Sequence, residues 1–179
     1  MKYTVSALLL AITSVALIVS AQEQTQPAQS GQMNGMSGMS QDEMNKRGDT
    51  VMGFDHTKTT HHFRLLPSGG AIEVTANSAT DTESRDQIRM HLGHIARMFA
   101  AGNFNAPMLI HGQTPPGVPV MKEVKDQITY KFEKTERGAT VLMTTNNSHA
   151  LEAIHAFLRF QIKEHQTGDS MAVSKAGSF

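Results

Sequence analysis

Two imidazoles, His91 and His94, and a thioether, Met98, fall at positions i, i+3 and i+7 of one segment with helical periodicity. At ~100° per residue they share an arc of about 60°, beside an apolar stripe of Ile88, Leu92, Ile95 and Phe99. Imidazoles one turn apart can grip a single metal ion, and a thioether one turn further on can approach it from the same side. His61 stands two residues before Phe63 on a stretch with strand patterning, so alternation turns it to the same face as Phe63 and sends His62 to the other. His111 lies in the crossing segment Pro107-Met108-Leu109-Ile110-His111-Gly112, with Met108 and Met121 near it in sequence. The expected metal set is therefore His91, His94, His61, His111 and Met98. Imidazole and thioether donors without a carboxylate at helical spacing favour copper, with zinc as the lesser alternative.

A second group of soft donors lies upstream. Met33, Met36 and Met39 recur every third residue among Gly, Asn and Ser, followed by Met44, and such flexible spacing lets several sulfurs converge on one ion. The competing reading is a linker in which these methionines are incidental. Likewise, His91 and His94 can be boundary side chains bonded to carboxylates or carbonyls. That reading is the one expected for His155, which with His165 sits on a second helix about 15 Å apart along the axis, too far to share an ion.

Composition narrows the chemistry. Sixteen basic residues balance sixteen acidic ones, so no strong field gathers nucleic acid. The chain has no Cys, which removes disulfides, thiol nucleophiles and thiolate metal sites. There is no nucleophile elbow, no phosphate-cradling glycine loop and no His-Glu-x-x-His helix. A zinc hydrolase built on His91, His94 and His111, with Glu73 or Asp86 as base, is the one catalytic reading left open.

The elements that must position these groups can be read from pattern. Lys2 leads into an apolar run over 5–19 ending in Val19-Ser20-Ala21, the form of a secretory signal cut after Ala21. The run is shorter than the ~20 residues that span a bilayer comfortably, so a periplasmic or secreted chain with no stable membrane span is expected. Residues 22–50, rich in Gln, Ser, Gly and Met, read as a disordered tether, 51–170 as one folded domain, and 171–179 as a tail. Within the domain, 61–66 and 71–76 read as a hairpin turning at Pro67-Ser68-Gly69-Gly70. A helix follows over 81–101, stopped by Gly102. After a Pro- and Gly-rich crossing come strands at 128–132 and 141–145, then a helix from Asn147 or Ser148 to about Gln166, closed by Gly168. Phe63, Gly69, Thr75 and Asn77 overlay Phe132, Gly138, Thr144 and Asn146 at a constant shift, which points to a ββα unit used twice. The expected fold is α+β: a four-stranded antiparallel sheet with two helices on one face. Phe157 and Phe160 widen the apolar surface of the second helix, from which a homodimer contact is expected.

The stretches MGFDHTKTTHHF (52–63), IHGQTPPG (110–117) and AIHAFLRFQI (153–162) resemble those of a family of small exported bacterial proteins. The resemblance covers most of 52–169 and implies no activity. In general character the Met- and His-rich chain also resembles periplasmic copper-handling proteins. It departs from the periplasmic copper chaperone pattern, because no closing His-x-Met follows His111 and Met121. The leading expectation is thus a periplasmic soft-metal binder for sequestration or delivery of copper. The alternatives are a non-catalytic envelope module whose histidines are structural and whose second helix meets a partner protein, and the zinc hydrolase.

Overall fold

A computed structural model describes residues 40–175. The expected signal segment 1–21, most of the expected tether and the methionines Met33, Met36 and Met39 lie outside the described residues. In chain order the elements are α1 (Gln41–Met52), β1 (Thr59–Leu66), β2 (Gly69–Ala76), α2 (Thr82–Ala100), α3 (Asn105–His111), α4 (Val118–Glu123), β3 (Thr129–Lys134), β4 (Gly138–Thr144) and α5 (Ser148–His165). The strands form one antiparallel sheet in the order β1-β2-β4-β3, and the class is α+β as the patterning predicts.

Local chemistry explains the long elements. Asp81 caps α2 by accepting from the Ser84 amide, and Asn147 caps α5 by accepting from the Ala150 amide, which satisfies amides the helix itself leaves unpaired. Ile88, Leu92, Ile95 and Phe99 of α2 are buried, as are Ile154, Leu158 and Ile162 of α5. α2 packs against β3 and β4, while α5 packs against β1 and β2. α5 stops at His165 through Gln166 in the left-handed region, two residues before the expected stop at Gly168.

Three differences from the sequence reading matter for the site. First, the folded part begins earlier: α1 opens with a capping box between Ser40 and Glu43 and buries Met44, Gly48 and Met52 on one face. The tether expected over 22–50 therefore ends in a packed helix from Gln41 onward. Second, the Pro-rich crossing folds into α3 and α4, which bring Ile110, Val118 and Met121 into the core. Third, Gly69 and Gly70 are paired strand residues opposite Leu66 and Leu65, not turn residues. A Cβ at Gly70 would collide with the Leu158 side chain, so glycine is used there to let α5 lie close to the sheet. Part of the tail is also engaged: the Ser174 amide donates to the Leu65 carbonyl and Arg159 to the Met171 carbonyl.

The apolar width of α5 finds its use within the chain. Phe157 is buried against Phe99 and Phe104, and α4 packs along the same helix, so the Phe157 part of that surface is occupied internally while Phe160 stays half-buried. The α4 approach depends on Gly117, whose φ of 83° places it in the left-handed region and whose Cβ would strike the Ala153 carbonyl. Gly117→Ala is expected to destabilise by about 3 kcal/mol, the sum of an unfavourable φ and a backbone clash that no rotamer relieves. Urea denaturation measures it; a loss within the range of an exposed Gly→Ala change would show that α4 does not need this close approach.

Candidate functional site

Three imidazoles carried by three different elements, His61, His91 and His165, line one small cavity, and a fourth, His111, touches the His165 ring. His61 projects from the core face of β1, paired across the sheet with Val74, as the alternation argument predicts. Its ring stacks on His165 at 5.6 Å between centroids. His165, the last residue of α5, in turn meets the edge of His111 at 5.1 Å. His91 reaches the same cavity from α2, on the far side of Phe54, whose ring lies 5.9 Å from His61 and 5.6 Å from His91. The cavity of about 60 Å³ is lined by Met52, His61, Phe63, His91, Gln161 and His165, together with apolar side chains of the core. A ligand pocket for a drug-sized organic molecule is typically ~300–1,000 Å³; this space suits an ion or a few waters.

These imidazoles are held neutral. Burial pushes His61 down to about 4, helped by the nearby His91, His62 and His56. Burial likewise lowers His91 to about 4, with His94 contributing, and His165 to about 3, with His61 and His111 contributing. His111 is lowered by burial, against the opposing pull of its bond to Gln161 and the charge of Glu164. Near neutral pH each ring therefore keeps one nitrogen lone pair free of a proton. His111 Nε2 lies 3.0 Å from Gln161 Oε1, so in this amide orientation Nε2 donates. Nδ1 of His111 and Nε2 of Gln161 are then buried with no partner, an unusual debt in a packed interior.

The expected ligand set is only partly assembled. His61, His91 and His111 are drawn to one region, whereas His94 is exposed and does not line the cavity. The helix angle between His91 and His94 is enough to turn one ring inward and the other to water. Met98 is half-buried and packs against the core. The distance from His155 gives no hint of a role for His165; the signal is that 154, 158, 161 and 165 follow helical spacing, which places His165 on the same stripe of α5 as the buried Ile154 and Leu158. His155 is the structural histidine expected: its Nε2 lies 2.9 Å from both the Leu66 and Gly69 carbonyls and closes the β1–β2 turn as a donor. Met44, expected among the tether sulfurs, sits instead on the buried face of α1.

Among the described residues, the group of three His, Asp or Glu ligand atoms lying within 4.8 Å of one another is Asp49, Asp55 and His56. Its members are already engaged: Asp49 pairs with His56 at 2.9 Å, and Asp55 accepts from the amide and hydroxyl of Thr57. In the imidazole cluster, ring rotation or a donor of another type is needed to complete a coordination shell. No carboxylate lines the cavity. Glu73 lies on the opposite sheet face in an ion pair with Arg64, and Asp86 is paired with Arg85 at the surface, so neither reaches these rings as a base. No family model, curated protein or solved structure matches the chain.

Proposed function

We propose that the protein binds a soft transition-metal ion, copper foremost, at the half-buried cluster centred on His61 and His165, with His91 and His111 beside it. Sequestration or delivery outside the cytoplasm is the role this reading assigns, the location resting on the signal-like segment over 1–21. The observation that carries it is the meeting of neutral imidazoles from β1, α2 and α5 around an ion-sized cavity without a carboxylate, with the α3 imidazole in contact with one of them. Imidazole nitrogens kept free of protons are the form that coordinates a metal. The sheet order and the repeated spacing support two finer points of the same reading, that α2 and α5 cover one face and that the two ββα units arose by duplication.

Titration of the purified protein with Cu and Zn salts tests it. One tight equivalent of copper is expected. The variant His61→Ala/His165→Ala should weaken it by about 100-fold or more, since direct ligands matter at least as much as their supporting neighbours. His94→Ala should leave that equivalent in place. A copper affinity unchanged by the double variant, with its circular dichroism preserved, would overturn the proposal.

A further inference from the structure

Met52, His61 and His165 line both the cavity and a neighbouring cleft bordered by α1, and that helix carries two sulfurs. Met44 and Met52 are both buried, stand eight residues apart on one face, and line the cleft together with His61, His165 and His56. Gly48 sits between them on the same face, and a Cβ there would press on the Met52 methyl at 3.1 Å. The helix thus leaves space for the Met52 side chain just where it reaches the imidazoles. α1 opens with its own capping box and is tied down by the Gln166 amide donating to Gln41 and by the Asp49–His56 pair.

We propose that α1 completes a mixed imidazole–thioether site, His61, His165, Met44 and Met52, that selects a monovalent soft ion of the Cu(I) or Ag(I) class over Cu(II) and Zn(II). This rests on the reading of the imidazole cluster as a metal site. Selectivity follows from charge and softness together. All four donors are neutral, and the inner cavity and the cleft have no carboxylate in their lining. The acidic neighbours stay out of that lining: Glu43, beside Met44, is turned back to the Ser40 amide, Asp49 and Asp55 to His56 and Thr57, and Glu164, beside His165, lies outside both spaces. A dication would therefore bring into a half-enclosed cleft a charge that no lining group neutralises, and the cost of burying charge rises steeply with its magnitude. Thioether sulfur adds affinity for Cu(I) and little for Zn(II). The shortage of a third imidazole nitrogen close to the first two is what the sulfurs make good.

The test uses the full protein labelled with ¹³C at the methionine methyls and titrated with Ag⁺, then with Zn²⁺. One equivalent of Ag⁺ is expected to shift the Met44 and Met52 methyl signals, and Zn²⁺ to leave them in place. Met44→Leu/Met52→Leu, a swap that conserves volume and so spares the fold, should weaken Ag⁺ binding by about 10- to 100-fold. It should leave Zn²⁺ binding unaltered. Binding of Ag⁺ that moves only the Met33, Met36 and Met39 signals, or that survives the double leucine variant unchanged, overturns the thioether site while the imidazole reading stands. Tighter binding of Zn²⁺ or Cu²⁺ than of Ag⁺ also overturns it. Loss of every ion's binding from the native chain removes both proposals together.

Discussion

Acidification from about pH 7 to about pH 4.5 is expected to destabilise the protein strongly, starting above the range in which carboxylates protonate. In the unfolded chain His61, His91 and His165 would take up protons near their ordinary value of 6.5, whereas in the folded state burial and neighbouring imidazoles hold them at about 4, 4 and 3. Between these values the unfolded state binds more protons, so stability is complete above about pH 6.5 and is lost as pH falls toward the folded-state values. Each histidine removes about 1.4 kcal/mol per pH unit in that window. The three histidines act in the same direction, so together they draw on a typical domain's stability of ~5–15 kcal/mol. Carboxylates act lower down: Asp169, for example, is raised by burial but brought below its usual value by the Phe63 amide, Thr167 and His62, and its share is lost only at still lower pH. Thermal midpoints followed by far-ultraviolet circular dichroism across this range give the measurement. His165→Phe, which keeps a ring against Phe63 and removes one titration, should flatten the profile. A midpoint that is level between about pH 7 and about pH 4.5 would show that these rings are protonated or solvated in the native state.

Phe157→Ala is expected to cost about 4 kcal/mol, within the range for a large aromatic removed from a core that cannot collapse around it. The ring is 1% exposed, meets Phe99 edge-on at 5.9 Å and Phe104 at 6.2 Å, and forms part of the wall of the imidazole cavity. Its loss would join a new void to the existing space beside His165 and weaken the hold on the ring positions. Phe160→Ala offers the contrast. That side chain is half-buried, with its ring 4.9 Å from His111, and about 1 kcal/mol is expected. Urea denaturation of both variants, with the solution mass recorded alongside, separates core from interface. A Phe157→Ala chain that keeps its stability and changes only its mass would place this residue between subunits.

Much of the frame is legible because it is written locally. The Asp81 and Asn147 caps, the 3.6-residue stripes of α2 and α5 and the alternation in both hairpins each depend on residues a few positions apart. α1 was also written in this way, through Ser40 and Glu43 at capping-box spacing, but its Gln- and Gly-rich composition resembles a tether. Only burial against α3 shows that Met44 and Met52 have a core to face.

The sequence by itself determined that the chain is α+β, that His61 shares a face with Phe63, and that His155 is structural. Only the tertiary structure decided which imidazoles meet. His91 and His94 are neighbours along the helix, yet one turns inward and the other to water. His61 and His165 are separated by most of the domain and stack within 5.6 Å. Periodicity fixes the face of an element a side chain occupies, because that depends on backbone geometry within one turn or one pleat. What that face looks upon depends on strand order and helix docking, and these are set by the packing of the whole core.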